Sequence, residues 1–302
     1  MPEISIVIPA KNESAAIADV VTELRQRFRD AEIIVVDDGS DDDTGSIART
    51  AGASQVVRHE VSLGNGAAIK AGVRAASGSV LAMMDADGQH SAASLQKLMA
   101  LYGTGNYDMV IGARSYEGHA NKSRFLANSG YNQLASIMTG RKIPDLTSGL
   151  RVVDARKFRQ FMALLPNGFS YPTTITMAFL RTGYRVHFEA VHVARRTGKS
   201  HIRPVRDGLR FLLIILRIGS LYSPLKLFLP LSLAAFLTGA GYYAYTFATI
   251  GRFTNMSALV FSVSILIFLI GLLAEQVTTL TYVTLESSMA KPASDQDDAE
   301  PS

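Results

Sequence analysis

Along the first hundred residues, short apolar runs alternate with segments whose apolar positions recur every three to four residues. The runs at 4–9 (ISIVIP), 32–37 (EIIVVD), 55–58 (QVVR), 80–85 (VLAMMD) and 109–113 (MVIGA) are rich in β-branched side chains and short enough to be strands. Between the first two, Ile17, Val20, Val21, Leu24 and Phe28 fall at helical spacing, so a helix there buries one face on a sheet. This alternation predicts βαβ units and an α/β domain built on a mainly parallel sheet. From about residue 118 to 200 the period is lost among Gly, Pro and Asn, and elements can be assigned only loosely. That stretch is long enough to wall off a second substrate.

The pattern changes again near residue 225. Residues 225–249 are apolar apart from Lys226, and residues 257–274 carry no charge. A helix needs about 20 apolar residues to cross a hydrocarbon core, so each stretch is long enough to span. Just before them, in residues 203–222, Arg206, Arg210 and Arg217 form a basic stripe on an otherwise apolar helical segment. Such a helix is expected to lie among lipid headgroups. The expected order is therefore a catalytic domain over 1–202, an amphipathic juxtamembrane helix over 203–223, membrane spans at 224–250 and 256–280, and a disordered acidic tail over 286–302.

Charge supports a membrane partner. The chain carries a net +4, yet residues 291–302 hold one lysine against Asp295, Asp297, Asp298 and Glu300, which leaves +7 on the rest. No zinc, helix-turn-helix or RNA-recognition signature accompanies that excess, so an anionic membrane face is expected rather than nucleic acid. Positive charge ahead of the first span places the catalytic domain, and after two crossings both termini, on the cytoplasmic side of the inner membrane. No secretory signal pattern opens the sequence. With no cysteine, disulfides and thiolate metal sites are excluded. Oligomeric state is not legible, and a homo-oligomer is kept as an expectation.

Open parallel sheets bind ligands beyond the carboxyl ends of their strands. Asn12 and Glu13 follow the first predicted strand, Asp37 and Asp38 close the second, and Asp85 and Asp87 close the fourth, so polar residues converge on one rim. In Asp85-Ala86-Asp87-Gly88-Gln89-His90, two carboxylates two residues apart can face one cation while Gly88 allows the turn behind them. Oxygen ligands favour Mg²⁺ or Mn²⁺, whose shells are commonly completed by phosphate and water. A turn or helix cap is the competing reading of such a pair. In the run that follows Val36, Asp41, Asp42 and Asp43 read as the cap and first turn of a helix, and Asp38 as the ligand candidate. The glycine-rich turn at Gly64 and Gly66, with Lys70 behind it, reads either as a phosphate cradle or as a structural turn. Glu275 reads as a span boundary. His119, His187 and His192 read as structural or surface residues.

Taken as a set, Pro9 to Glu13, the run from Asp37 to Thr44, the Gly64 loop, Asp85 to His90, Gly112-Ala113-Arg114 and Ser148-Gly149-Leu150-Arg151 resemble family 2 glycosyltransferases of the GT-A fold. The branch resembled is the one holding dolichol-phosphate mannose synthase and the bacterial polyprenyl-phosphate glycosyltransferases. The likeness covers about residues 3–226 and continues into two following spans. It implies that Pro9, Asn12, Glu13, Val36 and Asp38 hold the nucleoside, with Gly64, Lys70 and Ala86 also on the nucleotide-sugar. It implies further that Asp85, Asp87 and Gln89 ligate the metal, and that Arg114 and Arg124 neutralise phosphates. Asp87, Arg114, Asp145 and Arg195 become the catalytic set, and Ser148, Arg151, Arg195, Lys199, Ser200 and His201 join Arg114 and Arg124 at the acceptor phosphate. His201 stands where the family usually has lysine, and Leu150 where it often has phenylalanine.

The resemblance implies a nucleotide-sugar donor, UDP- or GDP-linked, and a polyprenyl-phosphate acceptor. A phosphate monoester carries about −1.5 to −2 at neutral pH, so its oxygen needs no strong general base. Inverting in-line transfer of a hexose-type sugar follows as the expected reaction. Alternatives are another lipid acceptor such as diacylglycerol, or a non-catalytic nucleotide-binding membrane adaptor. A processive polysaccharide synthase fits poorly, because the chain has no Trp and only two spans.

Overall fold

The computed structural model describes residues 3–114, 122–168, 171–193, 219 and 222–290, with the backbone alone at 122–128, 131 and 285–290. The chain divides into two units, residues 1–208 and 209–302.

In the first unit the strands are β1 (Ile4–Ala10), β2 (Glu32–Asp37), β3 (Gln55–Arg58), β4 (Val80–Met83), β5 (Met109–Arg114), β6 (Arg151–Asp154) and β7 (Val186–Val191). They form one sheet in the order β3-β2-β1-β4-β6-β5-β7. β6 runs antiparallel to both neighbours, β4 and β5, while the other described pairings are parallel. The sheet is thus mainly parallel, as expected. The reversed strand β6, to which the sequence pattern assigned no strand, is inserted between β4 and β5.

The continuous apolar runs are explained by cover on both faces. Alternate residues Ile6, Ile8, Ile33 and Val35 are fully buried in the core that also contains Ile17, Val20, Val21 and Leu24 of α1 (Ile17–Arg27) and Leu95 and Leu98 of α4 (Ala92–Gly103). On the other face Val7 and Val36 lie against Gly72 of α3 (Asn65–Ala75). Each fully buried aliphatic of this kind contributes about 1.5–3 kcal/mol. The remaining helices of the unit are α2 (Thr44–Thr50), α5 (Lys122–Thr139), α6 (Ala155–Gln160) and α7 (Tyr171–Arg181).

Pro9 interrupts neither ladder of β1. The Val7 carbonyl accepts the Met84 N–H, so Pro9, two residues on, turns its missing donor toward the same side. There the pairing with β4 has already ended, at Val7 and Met83.

The second unit contains α8 (Pro224–Ile250) and α9 (Asn255–Ala290), joined by a turn beginning at Gly251. Pro224–Ile250 and Asn255–Thr284 are long and apolar enough to cross a membrane. Large apolar side chains such as Leu233, Tyr245, Ile265 and Leu273 are more than half exposed, which fits a lipid surround rather than a soluble core. Between the helices, the Ser232 hydroxyl donates to the Ser264 carbonyl at 3.0 Å and the Ser264 hydroxyl to the Ser232 carbonyl at 2.9 Å. Glu275 does more than mark a boundary: it accepts from the Ser223 hydroxyl at 2.8 Å and the Leu225 N–H at 3.2 Å, capping the start of α8. α9 stays helical to Ala290, which overlaps the start of the tail expected to be disordered from 286. The arginine stripe at Arg206, Arg210 and Arg217 and the acidic residues of the tail lie outside the described residues, as does His119.

Candidate active site

The loops after β1 and β2 are laced together at the rim. Asn12, the one described non-glycine residue with positive φ (55°), accepts the Asp41 N–H on its side-chain oxygen at 2.9 Å. Its own N–H donates to the Ser40 hydroxyl, the Glu13 N–H to the Thr44 hydroxyl, and the Ser14 N–H to Asp42. Asp42 also accepts from the N–H and hydroxyl of Thr44, so Asp42, rather than Asp43 at the formal cap position, closes the start of α2. Pro9 is half-buried and Val36 fully buried, side by side in the β1–β2 register.

Asp38 is a hub. It is 4% exposed and accepts from His59 Nδ1 at 2.7 Å, the Ser62 hydroxyl at 2.8 Å, and the Leu63 and Gly64 N–H groups at 2.9 and 2.8 Å. These donors belong to the loop before α3, so in this conformation the expected nucleoside contact braces that loop. Burial would push its carboxyl up, but the four hydrogen bonds outweigh it and bring the group from the ordinary 3.8 down to about 2. A depressed carboxyl contributes stability above its unfolded value that is lost as pH falls through the folded one. The loss of stability in an Asp38→Asn variant is therefore expected to be about 2 kcal/mol greater above pH 4 than near pH 2, measured by chemical denaturation across that range.

The Gly64 turn is a site of close packing. The Gly66 N–H donates to the Gly168 carbonyl and the Ala67 N–H to the Asn167 carbonyl. A Cβ at Gly64, where φ is 101°, would stand 2.7 Å from the Asn167 carbonyl oxygen. Lys70 reaches the Leu165 carbonyl and the Asn167 side chain. The amides expected to cradle a phosphate are given instead to carbonyls of residues 167–168. Gly66, Ala67 and Lys70 thus fasten that segment onto α3, so in this conformation the turn does the structural work that was the alternative reading.

At the centre of the rim, β4 ends at Met83 and the chain turns through Asp85, Ala86 and Asp87, with Gly88 at φ 69°. Asp85, Asp87 and Gln89 are half-buried and Ala86 is buried. One Asp87 oxygen accepts the Gln89 N–H at 3.1 Å. Opposite, Arg114 at the end of β5 grips Asp145 through Nε at 2.7 Å and Nη2 at 2.9 Å, and its N–H adds a third bond at 3.2 Å. Thr147 accepts from the same guanidinium and donates to Asp145 at 3.2 Å. The Asp145 hydrogen bonds hold Arg114 above its ordinary value against burial, with the charges of Asp145, Asp85 and Asp87 adding to them. Burial would raise Asp145, but the bonds and charge of Arg114 hold it below the usual carboxylate range. It therefore stays ionised and orients Arg114.

Two expected acceptor contacts are interior. Ser148 is 1% exposed and donates to the Gly112 carbonyl at 2.6 Å. Arg151 is fully buried, donating to the carbonyls of Ser148 and Pro172 and to the Thr176 hydroxyl, and it lies over the Tyr171 ring. Neither presents its polar atoms to an acceptor here; they build the floor beneath the rim. Of the other expected phosphate ligands, Arg195, Lys199, Ser200 and His201 lie outside the described residues, as does the side chain of Arg124.

Sequence reasoning passed over His90 and Gly149 as separate contributors, although both stood inside quoted motifs. His90 is 5% exposed, and its Nδ1 has no hydrogen-bond partner among the described residues. Burial lowers its pKa, with Asp87 and Asp145 opposing and Arg114 adding, so the imidazole at the rim is neutral at pH 7.

Could these residues seat a divalent cation? Among the described residues no three His, Asp or Glu side chains converge into a metal-binding group. A Mg²⁺ or Mn²⁺ ion that shares its shell with substrate phosphate and water needs only one or two carboxylates, and Asp85 and Asp87 supply oxygen donors of the right hardness. The residues fit such an ion.

The profile of Glycosyl transferase family 2 matches residues 5–161, and that of the GtrB C-terminal hairpin matches residues 223–280. The chain belongs to glycosyl transferase family 2, and it is a glycosyltransferase. Glycosyltransferase AglJ of Haloferax volcanii is 27% identical over 292 residues, covering 92% of this chain and 94% of the relative. Dolichyl-phosphate hexose transferase of the same organism is 30% identical, over 68% of this chain and 89% of the relative. The crystal structure of glucosyl-3-phosphoglycerate synthase from Mycobacterium tuberculosis with Mn²⁺, UDP-glucose and phosphoglyceric acid superposes with a TM-score of 0.57 at 22% identity, covering 71% of this chain and 77% of the other. The α/β domain therefore has the GT-A fold, followed by two apolar helices.

Proposed function

We propose that this enzyme moves a hexose-type sugar from a UDP- or GDP-sugar to the phosphate of a polyprenyl lipid, with inversion at the anomeric carbon. The observation that carries the reading is the facing of two half-buried carboxylates, Asp85 and Asp87, by the Arg114–Asp145 pair at the carboxyl rim of the sheet. Asp85 and Asp87, with Gln89, would hold Mg²⁺ or Mn²⁺. Such an ion supplies charge stabilisation for the departing diphosphate.

The residues of this chain have a complementary task. Two anionic phosphates must approach one another, and Arg114, its fork fixed by Asp145, places positive charge where they meet. The lipid phosphate oxygen attacks the anomeric carbon as the bond from that carbon to the diphosphate oxygen breaks, so no strong base is required. Asp145, ionised and doubly bonded to Arg114, acts in orientation. The nucleoside falls to the loops after β1 and β2, where Asn12, Glu13 and Asp38 order the rim.

The acceptor reading draws on the dolichyl-phosphate hexose transferase relative and on the match to the GtrB hairpin. The hairpin α8–α9 would anchor the enzyme, and the basic excess before residue 224 favours a cytoplasmic catalytic domain. Membranes containing the protein, given labelled UDP- or GDP-sugars and a panel of lipid phosphates, are expected to form a polyprenyl-phosphate sugar. EDTA should suppress the product and added Mn²⁺ or Mg²⁺ restore it. Transfer only to diacylglycerol, or product with the anomeric configuration retained, would refute the proposal.

A further inference from the structure

We propose that Gly149 and Arg151 are positioning residues for Asp85, forming a seat that aims its carboxylate; the inference rests on the metal reading above. The reversal of β6 makes this possible. Arg151 opens β6 in register with Met83, the last residue of β4, so residues 149–151 lie where the chain leaves β4 for Asp85.

Gly149 supplies the wall. A Cβ built there would stand 2.3 Å from Oδ2, 2.6 Å from Cγ and 2.7 Å from Oδ1 of Asp85. The near equality of the three distances means that the carboxylate lies broadside against the glycine. Gly149 is not among the glycines with positive φ, so its backbone does not demand glycine. What demands it is the space Asp85 occupies.

Arg151 supplies the field. It is fully buried, and its hydrogen-bond partners, two carbonyls and the Thr176 hydroxyl, are all neutral. Its Nε has no hydrogen-bond partner among the described residues. A buried cation without an ion pair is unfavourable unless nearby negative charge compensates it. Among the described residues the carboxylates that act on it are Asp85 and Asp145, whose charges oppose the lowering of its pKa by burial; the buried Tyr171 phenol beneath it is pushed up and neutral. The neutral acceptors keep the guanidinium from moving onto Asp85, so it attracts the carboxylate without occupying the oxygens a cation would use. Glycine wall and buried charge together hold Asp85 in place before any ion arrives.

The test is Mn²⁺ binding by the full chain in detergent, followed by electron paramagnetic resonance with Mn²⁺ alone and then with UDP or GDP. Gly149→Ala is expected to weaken Mn²⁺ binding by about tenfold or more, the usual scale for residues that orient metal ligands. Its thermal unfolding in EDTA should stay close to wild type, which a merely structural role would not allow. Arg151→Met should weaken binding in the same direction, and Arg151→Lys should recover most of it. If Arg151→Met does not fold, Gly149→Ala decides alone. Loss of Mn²⁺ binding in Asp85→Asn together with wild-type binding in Gly149→Ala overturns the seat while leaving the metal site intact. Unchanged binding in Asp85→Asn removes the metal site and the seat with it.

Discussion

An Asp87→Ala variant is expected to lose sugar transfer by about three orders of magnitude or more while remaining folded. In the proposed site, removing one of two carboxylates would leave a bound cation a single charged ligand on this strand end. Charge stabilisation by such an ion is worth several kcal/mol in the transition state, and each 1.36 kcal/mol is tenfold in rate. Asp87 is half-buried in the turn beyond the end of β4 and is no member of the apolar core, so the fold should survive its loss. Asp87→Asn separates the two roles, because the amide oxygen can keep the turn while the charge is gone. Full transfer by Asp87→Ala, measured with labelled donor in membranes, would remove this residue from the metal site.

The second large effect is expected at Asp145. Asp145→Ala strips Arg114 of its bidentate partner and removes the acceptor for the N–H groups of Arg114 and Thr147. Breaking a buried pair by deleting one member costs about 3–5 kcal/mol. Arg114 keeps a third of its side chain in solvent and still feels Asp85 and Asp87, which puts the expected loss at the low end, about 3 kcal/mol. Transfer should fall as well, since a guanidinium no longer held in one geometry loses its aim. Denaturation of Asp145→Ala, Asp145→Asn and Arg114→Met beside wild type checks the assignment. Wild-type stability in Asp145→Ala would show that the pair holds nothing together.

The half of the catalytic unit that was readable in sequence is the half whose signal is local. β1, β2 and β4 are short apolar runs buried on both faces, β3 is a half-exposed apolar pair at the sheet edge, and helix α1 shows its buried stripe directly in the spacing of Ile17, Val20, Val21 and Leu24. Acids placed after such strands converge because the strands are parallel, and that geometry follows from the alternation alone. β6 was not readable. Its four residues, Arg-Val-Val-Asp, begin with a charge, and nothing local says that they slot backwards between β4 and β5.

The same limit governed the site. The glycine-rich turn with Lys70 read either as a phosphate cradle or as a structural turn, and the partners that engage Lys70, Leu165 and Asn167, stand nearly a hundred positions away. Arg151 was assigned to the acceptor by the resemblance, and its burial under α7, through Pro172 and Thr176, depends on residues more than twenty positions away. Glu275 was read from hydropathy as a boundary, and its engagement with Ser223 is invisible in a window of neighbouring residues.

That last contact gives the anchor its mechanical character. Aliphatic surfaces slide past one another with little preference, whereas the Ser232–Ser264 exchange and the Glu275 clasp on Ser223 and Leu225 can each be satisfied at only one vertical offset. The two staves are thereby pegged at two heights. A load arriving along the chain at Ser223 would be shared by both, and a hairpin so pegged would resist withdrawal as a doubled rod.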